Sequence, residues 1–371
     1  MKHSKLLLII TLCAIFMIAG CANKEVRTSL EDIGLVGIMG LDYVDEANVN
    51  LSVAIPQYSP NAQEDTEVFT VSTDLIAKGV IDIEALSDKK ILFNQLRVIL
   101  INEEYAQKGK VQKMMEFLYR NPESGDKVLI AVVKGTVKEL LNANYPSKPN
   151  INFYLNDLLE PTINTAFNPN TNIHDYIYSA TNLVLDPIVP IIEKKGDKID
   201  ISGVALFKSD HMLEILSPDD ALYIQYLQEK KKLAPLPLEL HQGHGTEKLM
   251  LDLVKSNVHI KSNKNFKSPK LTITLNIKGS LVEYKGERYD TLNNLESLSQ
   301  LETDISKQLK EEMIHFLNKL QEQKVDPIGL SENFRMYYKG KWTKEMTEET
   351  ISKLEIELKV HTIIISSGNL N

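Results

Sequence analysis

Of the side chains in this sequence, the thiol of Cys21 is the one most plainly placed for covalent chemistry. It follows Ile18-Ala19-Gly20 at the end of an apolar run, the setting in which a cysteine takes a diacylglyceryl group and the chain is cut after Gly20. His241 and His244, three apart, can share one metal ion, but a site needs a third ligand and none stands near. A glycine-rich polar loop around Gly243 and Gly245 is the plainer reading. Glu31 and Asp32 form an acid pair, yet adjacent side chains point to different sides of most backbones, so they read as the run into a first strand. Asp326 stands before Pro327, Ile328 and Gly329 and reads as a helix stop closed by a hydrogen-bonded turn, not as a catalytic acid. Trp342, the only tryptophan, suits packing on the last sheet or a contact with a partner. The sequence holds no Gly-x-Ser-x-Gly elbow, His-Glu-x-x-His helix or Gly-Lys-Ser/Thr phosphate loop. Gly34, Gly37 and Gly40, spaced by three, match no nucleotide fingerprint and imply close strand packing or turns. No catalytic residue, metal site or cofactor is expected. Glu31, Asp32, Asp326, Pro327, Gly329 and Trp342 remain candidates for structural or interface roles.

The address precedes everything else. Lys2, His3 and Lys5 lead into the apolar run Leu6 to Gly20, which is shorter than the roughly 20 residues a membrane-spanning helix needs. Charged, then apolar, then small is the order of a secretory signal peptide, and Cys21 makes it a lipoprotein signal. Two acyl chains on that cysteine hold a protein stably on a bilayer, so the body needs no apolar patch to stay there. Cys13 leaves with the signal, and no thiol then remains for disulfides, metal or nucleophilic work. The 351 residues beyond Gly20 are enough for two or three domains. The whole chain is formally −8, and beyond Gly20 it carries 40 basic against 50 acidic residues, with five arginines. An acidic chain short of bidentate phosphate readers is a poor nucleic-acid binder.

The elements follow from periodicity. Residues 22 to 32 read as a polar tether. Val49, Leu51, Val53 and Ile55 alternate with smaller or polar residues as a half-buried strand, joined to its predecessor by a hairpin over Tyr43 to Asn48. A strand near 67–72, a helix over 73–86, a buried strand at 96–101, a helix carrying Val111, Met114, Met115 and Leu118 on one face, and a strand at 128–133 predict a mixed sheet with helices on it. The two methionines read as core filler. Helices near 151–159 and 172–185 follow, and Asp186 to Asp200 is the best domain boundary. The second half opens with strands at 201–207 and 212–216, then a helix started by Ser217-Pro218-Asp219-Asp220. Strands near 248–254 and 258–261 come next. Leu271 to Ile277 is expected to pair with Leu281 to Tyr284 across Gly279. Leu298 to Leu320 repeats apolar residues every three or four for some six turns, and Leu354 to Val360 is a long strand. The class is α+β, with mixed and antiparallel sheets in two to three subdomains. The last is an antiparallel sheet crossed by one long helix. The expected division is a signal at 1–20, an N-terminal domain at 21–190 and a C-terminal domain at 198–371, with a further division near 260 left open.

In this order and spacing the motifs resemble the Ger(x)C family, the lipoprotein C subunit of the nutrient germinant receptors of endospore-forming bacteria. The resemblance rests on the lipobox at Cys21, Glu31-Asp32-Ile33-Gly34 with Gly40-Leu41-Asp42, and Ile201 to Lys208. It extends through Leu271 to Tyr284, the long helix, Asp326-Pro327-Ile328-Gly329-Leu330 and the ending Ile363 to Gly368. It implies a non-enzymatic, lipid-anchored subunit on the outer side of the spore's inner membrane, assembled with a larger A subunit and a multi-spanning B subunit. Two other classes stay open. A solute-binding lipoprotein would show two lobes of repeated βα units around a cleft, and a cell-wall enzyme would show paired carboxylates or a metal triad.

Overall fold

The computed structural model describes residues 32–57, 65–120, 125, 127–161, 168–228, 233–242 and 245–366. The signal peptide, Cys21, Glu31 and His244 lie outside the described residues. The chain first forms β1 (Ile33–Leu35), β2 (Ile38–Tyr43), β3 (Val49–Pro56) and β4 (Thr66–Thr73), then α1 (Ile76–Ser87) and β5 (Lys90–Leu92). Next come β6 (Val98–Asn102), α2 (Glu103–Lys108), α3 (Val111–Tyr119) and β7 (Leu129–Lys134). After them stand α4 (Val137–Leu141), α5 (Ile151–Leu159) and α6 (Ile173–Thr181), followed by β8 (Ile188–Lys195), β9 (Lys198–Lys208) and β10 (His211–Leu216).

Eight of these strands form one sheet in the order β10-β9-β8-β7-β6-β2-β3-β4. β8, β7, β6 and β2 run parallel, and antiparallel pairs extend the sheet on both sides. Parallel neighbours need long crossovers, and the helices supply them. Those helices cover both faces, which is why β6 and β7 are buried along almost their whole length. One face packs against Ile83, Tyr105, Met114, Met115 and Tyr176, the other against Val137, Leu141, Tyr154 and Leu155. The three-residue glycine spacing is a matter of close approach. A Cβ on Gly40 would come within 2.3 Å of Val137 Cγ1, and one on Gly37 within 2.3 Å of Asn152 Oδ1. Asp42, at the end of β2, accepts from Val137 N at 2.7 Å and Lys138 N at 3.0 Å and so fixes the start of α4. β1 stands apart in a short parallel ladder with β5.

The strands at 201–207 and 212–216, expected to open the second half, complete this first sheet instead. β8 and β9 pair antiparallel through the segment expected to be a boundary. The second body starts with α7 (Pro218–Leu227), whose N-terminus is closed by a Ser217–Asp220 capping box. A four-stranded sheet follows, ordered β11 (Leu236–Gln242), β12 (Gly245–Ser262), β13 (Lys270–Lys285), β14 (Glu355–Ser366). Between β13 and β14 run the 29-residue α8 (Leu295–Gln323), the short α9 (Glu332–Arg335) and α10 (Lys344–Lys353). α8 buries Leu301, Ile305, Leu309, Met313, Phe316, Leu317 and Leu320 against the sheet. β11 to β13 are antiparallel, while β14 returns after α8 to join β13 in parallel. Two expected breaks between strands, one of them a turn at Gly279, are absent. Residues 245–262 form one strand with a bulge at Leu253, whose φ is +51°. Residues 270–285 form another, because Gly279 marks a close approach (Leu251 Cβ would be 3.1 Å from its Cβ) and not a turn. β14 is an edge strand, and α8 covers part of that edge. Ser306 Oγ accepts from Thr362 N at 2.9 Å, and Glu302 Oε1 from Ile364 N at 2.8 Å. No described helix is long and apolar enough to cross a membrane.

Candidate interaction site at the junction of the two sheets

The chain crosses from one sheet to the other through α7, and every residue from Ala221 to Leu227 is buried because α7 packs on β9, β12 and α8 together. Beside it, two Asp-Pro pairs meet. Asp186 precedes Pro187 just before β8, and Asp326 precedes Pro327 just after α8. A residue before proline is pushed out of helical conformation, so neither Asp continues a helix and the backbone groups of each are free to bond elsewhere. Asp326 N donates to Asp186 Oδ2 at 2.7 Å, and Asp186 N donates to the Asp326 carbonyl at 3.2 Å. Asp186 and Asp326 are 4% and 1% exposed, deep enough that each needs compensation.

Asp186 finds it in Lys344 at the start of α10, whose Nζ lies 2.9 Å from Oδ1 and also donates to the Leu185 carbonyl at 2.8 Å. Asp326 finds it in its own turn. Oδ1 accepts from Gly329 N at 2.7 Å and Leu330 N at 2.9 Å, and Oδ2 from Ser331 N at 2.8 Å. Burial pushes the Asp326 carboxyl up to about 6 even though the Ser331, Leu330 and Gly329 donors favour its charged form. Gly329 holds the turn at φ +85°, and a Cβ there would approach Leu185 Cδ2 at 3.1 Å. Trp342 donates from Nε1 to Thr347 Oγ1 at 2.8 Å, and that hydroxyl donates to the Leu183 carbonyl at 2.6 Å. Its ring stands edge-on to Tyr338 at 5.7 Å and Phe266 at 6.3 Å, so it is seated in the second body.

Four of the residues singled out in the sequence, Asp326, Pro327, Gly329 and Trp342, therefore converge on the loop 183–188 of the first sheet. Gln228 Nε2 adds a bond to the Pro327 carbonyl at 2.9 Å. Ion pairs mark the rim: Lys208 on β9 with Glu348 on α10 at 3.4 Å, and Lys319 on α8 with Glu214 on β10 at 3.2 Å. A groove of about 550 Å³ opens beside this junction, lined among others by Asn168, Thr171, Asp175, Gln225 and Pro327. Asp32 is exposed at the head of β1, far in sequence from this cluster. Sequence reading missed Asp186 and Lys344. The repeated Asp-Pro pair was the signal for the first, and nothing local marks the second.

A second charged cluster ties the C-terminal sheet to its helix. Arg288 Nη1 reaches Asp304 Oδ2 on α8 at 2.6 Å, while its Nε grips both oxygens of Glu247 on β12 at 3.0 and 3.1 Å. Burial raises Glu247, but Arg288 and the Tyr284 hydroxyl outweigh it and hold the carboxyl below its ordinary value. His241 is exposed on β11, and among the described residues no group of three or more histidine, cysteine, aspartate or glutamate side chains is placed to hold a metal. The arrangement is that of a clamp between two bodies.

Comparison with known proteins agrees with this architecture. Residues 27–194 match the family model described as the spore germination protein N-terminal domain, and residues 202–368 match the spore germination B3/GerAC-like C-terminal model. Spore germination protein GerQC of Bacillus cereus is 26% identical over 368 residues, covering 99% of each chain. Spore germination protein A3 of Bacillus subtilis is 23% identical over 95% of each. The crystal structure of the GerBC protein superposes with a TM-score of 0.57 at 16% identity, covering 88% of this chain and 96% of that one. Two family models in tandem, spanning all but the ends and a short connection, place the chain in the Ger(x)C family of spore germination proteins.

Proposed function

We propose that this chain is the lipid-anchored, non-enzymatic subunit of a germinant receptor, required for nutrient-triggered spore germination. The match of both family models, in order and across residues 27–194 and 202–368, carries the reading. The lipobox at Cys21 supports an anchor on the outer face of the spore's inner membrane, and the family resemblance supports assembly with a larger A subunit and a multi-spanning B subunit. Within such a complex, nutrient binding must shift the equilibrium between two receptor states. A subunit contributes only by contacting one state better than the other. The clamped junction suits that task, since it fixes how the two sheets present themselves to a neighbour. A solute-binding lipoprotein would need a second lobe of repeated βα units, whereas residues 236–366 form one sheet crossed by one long helix.

Two measurements test the proposal. Tagged protein drawn from the native host in mild detergent should bring the A and B subunits with it, and clean recovery of the chain alone would overturn the assembly. Cys21→Ala should release the chain from the membrane and blunt the response to nutrient. Normal germination with the variant still membrane-bound would overturn the anchoring.

A further inference from the structure

An apolar groove of about 200 Å³ lies between α1 and α3 and shares no lining residue with the groove at the junction. Met39 of β2 floors it, Ile76 and Val80 of α1 and Phe117 of α3 wall it, and Ile91 and Phe93 close one end. Every side chain lining it is apolar. Phe117 is 50% exposed, and Ile81, one helical turn beyond the lining residue Ala77, is 64% exposed. Exposed apolar side chains such as Leu253 are ordinary when single, whereas Phe117 and Ile81 stand beside an open apolar groove, the kind of surface that takes a partner.

The path of the chain identifies what covers it. β1 pairs with β5 in the register Ile33 to Lys90 and Gly34 to Ile91, so the described chain begins beside the strand whose Ile91 lines the groove. The segment from Cys21 to Ile33 spans at most about 40 Å when fully extended. A lipid on Cys21 therefore keeps this end of the body close to the bilayer. Lysines 78, 90, 110 and 113 stand on α1, β5 and α3 or just before it, among Asp82, Glu84 and Glu116, and Lys78 pairs with Asp74 at 3.0 Å, so the charged rim is mixed and the apolar groove supplies the contact. We propose that the α1–α3 groove, with Phe117 on its wall and Ile81 projecting beside it, docks into the surface of a lipid bilayer and sets the orientation of the tethered body. The proposal rests on the anchoring read at Cys21. Two acyl chains already retain the protein, so this contact governs attitude and not retention.

The test uses the full lipidated chain in vesicles of phosphatidylglycerol and phosphatidylethanolamine. With Cys21 blocked by lipid, Ile81→Cys and, as a control on the second sheet, Leu253→Cys each accept one polarity-sensitive fluorophore. Leu253 is also strongly exposed, so solvent access alone does not separate the two. The label at 81 should shift to the blue and lose emission to lipid spin-labelled about 5–10 Å below the headgroups, while the label at 253 does neither. Adding Phe117→Glu should abolish the quenching at 81 with vesicle flotation and melting temperature unchanged. Quenching that is absent at 81, or equal at 81 and 253, overturns the proposal. So does a blue shift at 81 that arises only when the A and B subunits are reconstituted too, which would make the occupant a protein. If the lipidated chain fails to float with vesicles, the anchoring itself fails. Flotation without quenching at 81 removes only the docking surface.

Discussion

Asp326 makes its contribution as an acceptor, and the two oxygens divide three backbone donors between them. Asp326→Asn turns an acceptor into a donor against one of those N–H groups and should cost about 1–3 kcal/mol, read as a lower urea midpoint. Its pH behaviour runs opposite to that of an ordinary paired carboxylate. The folded-state value is raised to about 6 from 3.8, so between those values the folded state binds the extra proton. Stability from this group therefore falls as pH rises through that window, and the full cost is in place above pH 6. The stability gap between the native chain and Asp326→Asn should be wider at pH 5 than at pH 7, and a gap that narrows would contradict the burial argument. Glu247 has the usual sign. Its carboxyl is held below the ordinary value, so its contribution is present at neutral pH and is lost as pH falls through the lowered value. Arg288→Ala leaves Glu247 and Asp304 without their partner and should cost about 3 kcal/mol, checked by denaturant unfolding at neutral pH.

Elements with a strong period were the legible ones. The apolar faces of α3 and α8, the capped start of α7 and the hairpin before β3 are written in spacing and in residues that act locally. What was not legible was long range. Gly279 looks like a turn to any local reading, and only the approach of Leu251 from the neighbouring strand shows that it lies inside one. β14 reads as a strand from its alternation, but nothing in that alternation says that it joins β13 in parallel after α8. At the candidate site, the turn-forming role of Asp326 could be read from the following proline and glycine, whereas its partner Asp186 lies 140 residues away. The glycine of β2 supplies a test at this scale. Gly40→Ala places a methyl group against Val137 at the start of α4 and should destabilise by about 1–3 kcal/mol, seen as a lowered melting temperature. Unchanged melting would mean that α4 shifts freely.

At the scale of the whole molecule, the two sheets are joined by α7, by the paired Asp-Pro loops and by Val204, Leu206 and Leu216, which pack in the core of the second. Lys344→Met strips Asp186 of its counter-charge in a buried setting and removes the bond to the Leu185 carbonyl. The expected outcome in calorimetry is that one cooperative transition splits into two, because most of the first sheet's core lies in clusters of its own and, of its buried residues, only Val184, Val204, Leu206 and Leu216 pack with the second. A single transition merely shifted downward would show that α7 and the shared apolar cluster couple the sheets without the ion pair. The covered edge of β14 has a different consequence. Proteins tied to a membrane are crowded into a plane, where copies collide far more often than in free solution, and an open strand is then an invitation to zip into neighbouring chains. By occupying the Thr362 and Ile364 amides with Ser306 and Glu302, the long helix withholds those two donors from any passing copy.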